Sequence, residues 1–592
     1  MTNNQQIAKI KRQIKNVGKE IFGKDFEFRP HQLEAILIIV CKNLSKNINY
    51  QIMNAPTGAG KSIIAIIAAK VLWKYYEKTS YILVSDLSLF EQYINDITYH
   101  KITEIGYLKG KDNYICKKNT NKVNCAVCSL NNIPLFQLLN VKFVKGFRCK
   151  DNCEYIQDYK KAINSPITIM TYQLYFIQRN YVAEDIFNGE NKNFPLRDLV
   201  ICDEAHKICD IVQTHFSPVI SIERPSWMLS LDDYASSINE QYMDENARLT
   251  IIDNLKVEED KSKLIQLIQQ YEQYVRFYTE LNEKLRDNAK ESKDKKYYQK
   301  YLIAGNLARE VHCKLDDLLS FVNKLKNFDY IVKTVDSKNI TINYVFENIM
   351  LARYFHSKNK NELLMSATIG DYDTYLNMIG LDENQSTFLN ISSTFDYANS
   401  PIYITDKNKM SWKEKDKSIQ TIKSQVIELC NKHSNERGII QTGNYENAKF
   451  LYDYVPTEIR TRMIFYFSSK DKIKALTQFN NSTNAILIGP TLLEGLNFPG
   501  DNCRFSICVK LPYANLANKL VEAKKNLIKN WYTYDVITKL EQGFGRGVRY
   551  NGDWCINYIL DGCISDLLKY NTFNKNTQLR IKKFENEVEI NA

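Results

Sequence analysis

The stretch that decides the fold is Ala55-Pro56-Thr57-Gly58-Ala59-Gly60-Lys61-Ser62. It satisfies the phosphate-binding pattern G-x-x-x-x-G-K-[ST] once the first position is relaxed to Ala55. The residue types explain the chemistry. Glycines let backbone N–H groups close around phosphate oxygens, the Lys61 ammonium meets the β- and γ-phosphates, and the Ser62 hydroxyl reaches Mg2+. The flanks agree. Tyr50 to Asn54 reads as a short strand. Ser62 to Tyr75 reads as an apolar helix whose N-terminus faces the same anion. Further along, the apolar run Leu199-Val200-Ile201-Cys202 ends in Asp203-Glu204-Ala205-His206. Asp203 is the type of residue that holds Mg2+ through water, and Glu204 the type that polarises an attacking water. Together the two motifs predict hydrolysis of a nucleoside triphosphate, with ATP and Mg2+ as the expected cofactors.

The bulk composition narrows the class. At 592 residues the chain has room for several domains. With 44% hydrophobic and 25% charged residues it reads as an ordinary soluble protein. Met1 to Lys15 is polar and basic with no apolar core, so no signal peptide is expected. No apolar run approaches the roughly 20 residues of a membrane span. The expected location is therefore inside the cell, in soluble form, with no membrane partner. A formal charge of +11 favours a polyanionic partner. Fourteen cysteines without a secretion signal point to a reducing compartment, where clustered thiols bind metal more often than they form disulfides.

The organisation is α/β with insertions. Residues 1–106 alternate strand-like and helix-like runs, residues 107–160 are cysteine-rich and basic, and residues 161–206 resume the α/β pattern. Residues 207–335 show helical apolar spacing with dense charge, notably Asp260 to Arg286 and Lys295 to Lys326, and read as an inserted helical domain. Residues 336–390 return to the first α/β unit, and residues 391–592 read as a second one.

Three further motifs follow expected strands: Ser85 to Gln92, Ser366-Ala367-Thr368 and Glu494 to Asp501. A last one, Gln542-Gly543-Phe544-Gly545-Arg546-Gly547-Val548-Arg549, fits Q-x-x-G-R-x-x-R. Placed on one helix, Gln542, Arg546 and Arg549 share a face. The two guanidiniums of Arg546 and Arg549 are suited to stabilising charge on a phosphoryl group in transfer. Lying far along the chain from Lys61, they predict a site completed between two domains.

This ordered set resembles the XPD/DinG family of superfamily 2 helicases over nearly the whole chain. Smaller matches are Arg29-Pro30-His31-Gln32, Gly110 to Cys116, Thr171-Tyr172-Gln173 and Ser393 to Asp396. The resemblance implies two RecA-like parallel-sheet motor domains, the first carrying an iron–sulfur insertion and a helical arch. It implies that Gln32 contacts adenine, that Ala55 to Ser62 hold the phosphates and Mg2+, and that Arg546 and Arg549 reach the γ-phosphate. It implies that Ser366 to Thr368 couple hydrolysis to DNA movement, with His206 bridging the two motifs. The family usually has Asp where Asn497 stands, which puts a charge-dependent role there in doubt. The implied activity is an ATP-dependent DNA helicase, a monomeric motor on single-stranded and forked DNA moving 5′ to 3′. A DNA-stimulated ATPase that remodels protein–DNA complexes without processive unwinding is the alternative.

The cysteine block supports two metal sites. Cys125-x-x-Cys128 with Cys149-x-x-x-Cys153 reads as a zinc ribbon, whereas Cys116, Cys125, Cys128 and Cys153 read as ligands of a [4Fe–4S] cluster. The family resemblance favours the cluster, with Cys149 as the alternate to Cys153. The block is also basic, with interleaved aromatics such as Tyr114, Phe143 and Phe147. Such residues suit contact with phosphates and stacking on unpaired bases.

Overall fold

The computed structural model describes residues 3–45, 49–56, 58–114, 153–181, 194–228, 245–325, 328–392, 396–466, 471–490, 498, 500–545, 547–548, 552–569 and 573–584. After the helices Asn3–Phe22 and Gln32–Leu44 the chain runs through the strands β1 (Tyr50–Asn54), β2 (Ser80–Val84), β3 (Ile105–Tyr107), β4 (Ile167–Thr171) and β5 (Leu199–Asp203). It then leaves this sheet for β6 (Val219–Ser221), β7 (Ile331–Val335) and β8 (Asn339–Tyr344), and returns with β9 (Glu362–Ser366) and β10 (Ser386–Asn390). The first large sheet has the order β10-β1-β9-β5-β2-β4-β3, and its pairings are parallel. Parallel strands need helical crossovers, which cover both faces. Hence β2, β5 and β9 are buried along their whole length. Because the strands are parallel, their C-terminal ends share one edge. That edge carries the loop after β1, Asp203 at the end of β5 and Ser366 at the end of β9, the usual place for a ligand in such sheets.

The second large sheet uses β11 (Ile402–Ile404), β12 (Gly438–Gln441), β13 (Met463–Phe465), β14 (Ile486–Gly489), β15 (Phe505–Cys508), β16 (Ile556–Ile559) and β17 (Ile581–Lys583). Its order is β13-β14-β12-β15-β16-β11-β17, again with parallel pairings. The molecule is thus built on two RecA-like parallel-sheet domains.

The insertion between β5 and β9 is a long helical hairpin, Lys261–Glu291 and Lys295–Leu325, with a short turn at Ser292 to Asp294. At 1.5 Å per residue each arm is about 46 Å long. Buried Tyr271, Tyr274 and Tyr278 lie at helical spacing along the first arm. One expectation needs correction here. The segment 207–335 is not purely helical, because β6, β8 and β7 form a three-stranded antiparallel sheet at its base. The boundary drawn at residue 335 therefore passes between the two strands of a hairpin. The strands are short and only partly buried, so they carry a weak alternation signal beside two 31-residue helices.

Candidate active site

The loop after β1 is fixed at both ends. The Ala55 N–H donates to the Ser366 carbonyl at 2.8 Å, which ties the loop to β9. Gly58 and Gly60 have φ of 81° and 78°, in the left-handed region that favours glycine. At Gly60 the requirement is doubled. A Cβ there would lie 2.4 Å from the Gln32 amide nitrogen. That amide donates to the Ala59 carbonyl at 2.8 Å, while its oxygen accepts from the Arg29 N–H at 2.9 Å. Gln32 is therefore a strut for the loop. Arg29 adds a hydrogen bond to the Gly58 carbonyl. Lys61 and Ser62 open the helix Lys61–Tyr76, so its N-terminus points into the cleft with them. Pro56, Gly58, Gly60, Lys61 and Ser62 line that cleft. Thr57 lies outside the described residues.

Asp203 and Glu204 face this loop from the end of β5. Lys61 Nζ stands 3.6 Å from Glu204 Oε1. Asp203 is nearly fully buried, and both its oxygens are engaged. Its Oδ1 accepts from the Glu204 N–H at 2.9 Å and its Oδ2 from the Tyr93 hydroxyl at 2.8 Å. Burial, and then the adjacent Glu204 charge, push the Asp203 carboxyl above the ordinary range. Glu204 goes the other way. Burial raises it, but Lys61, His206 and Lys207 outweigh burial and hold it well below the usual carboxylate range. Glu204 is thus a carboxylate at neutral pH. A carboxylate and the Ser62 hydroxyl are hard oxygen donors, and hard oxygen donors are what Mg2+ takes.

His206 bridges to the next strand. Its Nδ1 lies 2.7 Å from Ser366 Oγ and 3.2 Å from Glu204 Oε2. Ser366 Oγ accepts from the Thr368 N–H at 3.1 Å. Thr368 Oγ1 in turn accepts from Gln542 Nε2 at 3.3 Å, and Gln542 belongs to the second domain. A second crossing lies beside it, where the Tyr534 hydroxyl donates to the Ile369 carbonyl at 2.6 Å. The two domains thus enclose one cleft of ≈ 1080 Å³, lined from one side by Lys61, Asp203, Glu204 and Thr368 and from the other by Thr538, Gln542 and Arg580.

The single-helix reading of the last motif is not what forms. Helix Trp531–Phe544 carries Gln542 but stops at Phe544, with Gly545 as its C-cap. Three glycines, at 543, 545 and 547, disfavour continuation. Gly547 is also packed so closely that a Cβ would lie 2.4 Å from Cys555 Cβ. Arg546 and Arg549 lie outside the described residues, as do Asn497, Cys116, Cys125, Cys128 and Cys149. Cys153 is described. It is the N-cap of helix Glu154–Asn164 and packs partly against the core. Among the described residues no group of three or more His, Cys, Asp or Glu side chains is placed to hold a metal ion. No described helix is long and apolar enough to cross a membrane.

Sequence reasoning missed Tyr93, Tyr375, Tyr534 and Arg580. Tyr93 lies on the buried face of its helix with Phe90 and Ile97, a spacing that signals core packing and says nothing about a hydroxyl.

Known proteins resemble this chain in sequence and in fold. A family model described as the helicase C-terminal domain matches residues 426–573, and one described as the type III restriction enzyme, res subunit, matches residues 25–231. A probable ATP-dependent helicase of Methanocaldococcus jannaschii is 24% identical over 570 residues, covering 85% of this chain and 84% of that one. The 3'-5' exonuclease DinG of Bacillus subtilis is 24% identical over 230 residues, 36% of this chain and 25% of that one. A solved XPD helicase superposes with a TM-score of 0.54 at 15% identity, covering 94% of this chain and 100% of the other.

Proposed function

We propose that the chain is an XPD/DinG-like superfamily 2 helicase, an ATP-dependent enzyme that hydrolyses ATP to move 5′ to 3′ along single-stranded DNA and to separate duplex at forks. One observation carries the reading: Gln542 of the second domain bonds to Thr368 of the first, inside the cleft that holds Lys61 and Glu204. A site assembled from both domains links nucleotide turnover to domain movement.

In this reading Lys61 binds the β- and γ-phosphates, and the backbone N–H groups of Gly58 to Ser62 surround them. The Glu204 carboxylate orients the attacking water and accepts its proton. His206 holds Glu204 in place and relays its position to Ser366. Arg546 and Arg549 reach the γ-phosphate from the second domain. Ser62 and Asp203 would hold Mg2+, which when bound neutralises phosphate charge. A [4Fe–4S] cluster on Cys116, Cys125, Cys128 and Cys153 belongs to the same proposal. Cysteine spacing and the family resemblance support it, as does the place of Cys153 at a helix N-terminus, which favours negative charge.

The test is strand displacement on duplexes with a 5′ or a 3′ single-stranded overhang, with and without ATP. ATP-dependent separation from the 5′ overhang is expected. Separation only from the 3′ overhang overturns the polarity. DNA-stimulated hydrolysis without separation, but with displacement of a bound protein, replaces this reading with the remodelling one.

A further inference from the structure

Glu204 has φ 52° and ψ 44°, in the left-handed region. A residue with a Cβ seldom sits there, because Cβ crowds the following carbonyl. Such a conformation persists only where the surroundings over-determine it. The Glu204 N–H donates to Asp203 Oδ1 at 2.9 Å and the Lys207 N–H to the Glu204 carbonyl at 3.0 Å, and three tyrosines hold the residues on either side. The Tyr93 hydroxyl donates to Asp203 Oδ2 at 2.8 Å. The Tyr172 hydroxyl donates to the Asp203 carbonyl at 3.0 Å, and the Tyr375 hydroxyl to the Ala205 carbonyl at 3.0 Å. The residues immediately before and after Glu204 are therefore pinned, one of them twice.

Two further facts separate this from ordinary core packing. A buried tyrosine hydroxyl needs some acceptor, but these three find theirs within three consecutive residues. They also arrive on three different helices, Leu87–Tyr99, Tyr172–Phe176 and Tyr372–Ile379, which follow β2, β4 and β9. Parallel strands bring the starts of those helices to the edge where Asp203 ends β5. Exposure is 0% for Tyr93 and Tyr172 and 1% for Tyr375. Burial raises all three phenols well above their usual range, so each remains a neutral donor.

We propose that Tyr93, Tyr172 and Tyr375 are positioning residues that hold Glu204 in its left-handed conformation and aim the Asp203 and Glu204 carboxylates into the cleft. The inference rests on the proposed role of Glu204 in polarising water. None of the three tyrosines touches the nucleotide in this account, so each acts through the segment it holds.

Tyr→Phe variants remove one oxygen and keep the ring. Tyr172→Phe and Tyr375→Phe should lower kcat about fivefold, the effect of one neutral hydrogen bond, with KM for ATP little changed. Tyr93→Phe frees a carboxylate, so it should raise the Mg2+ concentration for half-maximal hydrolysis about tenfold. A merely structural tyrosine would lower the melting temperature without moving the Mg2+ requirement or splitting kcat from KM, and that outcome overturns the proposal. A second measurement needs no catalysis. Glycine is free to adopt φ above zero, so Glu204→Gly should melt about 2 °C above Glu204→Ala. The opposite order removes the strain that the tyrosines are said to hold. Wild-type protein that hydrolyses no ATP would defeat the proposed function instead, and the two melting temperatures would still judge the backbone.

Discussion

Replacing Lys524 with Met tests how the two domains are held together. Lys524 lies on helix Lys519–Leu527 of the second domain and pairs with Glu347 on helix Glu347–Tyr354 of the first. The side chains are 7% and 1% exposed, so this is a buried ion pair across the domain boundary. Burial pushes the Glu347 carboxyl up despite Lys524, and Glu347 more than offsets burial at Lys524, whose pKa is raised. Trp531 covers the ammonium, with its ring centroid 5.3 Å away. Lys524→Met keeps the stem and strands the Glu347 carboxylate without its cation. Breaking a buried pair in this way costs about 3–5 kcal/mol. For a domain of roughly 200 residues that is a fall of about 10 °C in the melting transition. Lys519–Glu259 crosses the same boundary at 2.7 Å but is exposed at 55% and 68%, so Lys519→Met should cost no more than about 1 kcal/mol. The double variant Lys524→Met/Glu347→Leu completes a double-mutant cycle. It replaces the pair with apolar groups and should recover most of the loss. Thermal denaturation of wild type, Lys524→Met, Glu347→Leu and the double variant reads the cycle, with Lys519→Met as the exposed control. If Lys524→Met costs no more than Lys519→Met, or if the double variant is no better than the single, the buried-charge argument is refuted.

Lys61→Ala should abolish ATP hydrolysis with the fold intact, and steady-state turnover near wild type would remove the loop after β1 from the active site. Arg546→Ala or Arg549→Ala should lower kcat on the order of 10³-fold with a smaller change in ATP affinity; an effect on affinity alone would make that arginine a ground-state contact. Cys116→Ser and Cys153→Ser should each bleach a brown chromophore and cost unwinding more than basal hydrolysis, whereas a colourless zinc protein indifferent to Cys116→Ser would establish the ribbon. His356 gives a pH prediction. Its Nδ1 faces Glu362 Oε2 at 2.8 Å and its Nε2 the Ile379 carbonyl at 2.9 Å, so both nitrogens are held as donors. Burial lowers its pKa, but Glu362 and that carbonyl raise it further, and the folded value lies above the unfolded one. Its stabilisation should be complete below the unfolded pKa of about 6.5 and fade as pH rises through the folded value. Melting scans from pH 6 to 9 should show that decline in wild type and less of it in His356→Gln.

What was legible in the sequence was local. β1 runs from Tyr50 to Asn54 as expected, because an apolar run meets the phosphate loop there. The hairpin arms followed from 3.6-residue spacing sustained over eight turns. Glycine signalled the left-handed positions 58 and 60. The failures share one cause. Where helix Trp531–Phe544 ends depends partly on Cys555, which leaves no room for a side chain at Gly547. The left-handed turn at Glu204 depends on hydroxyls from residues 93, 172 and 375. Lys524 looks like any other lysine of a basic helix until Glu347 is brought to it. Side-chain pattern reports which face of an element is buried, not which atom it meets across the fold.

The contacts across the domain boundary are unequal, and that bears on how turnover moves the domains. The route from the second domain to Glu204 passes through Gln542 to Thr368 at 3.3 Å and then through the Thr368 N–H to Ser366 Oγ at 3.1 Å. The crossing bond itself lies near the long limit for a hydrogen bond and contributes little. Ser366 to His206, at 2.7 Å, and Asp203 to Tyr93, at 2.8 Å, are short and lie within the first domain. The Asp203–Glu204–His206 cluster is therefore tied firmly within the first domain and joined at Gln542 through one long bond. The strong crossings, the Tyr534 hydroxyl on the Ile369 carbonyl and Lys524 on Glu347, lie to one side of that junction. Movement that separates Gln542 from Thr368 while those two persist gives up one long hydrogen bond, whereas full separation of the domains also breaks the buried Lys524–Glu347 pair. In the motor proposed above, a cheap step at the site and an expensive one beyond it would let the domains shift without parting.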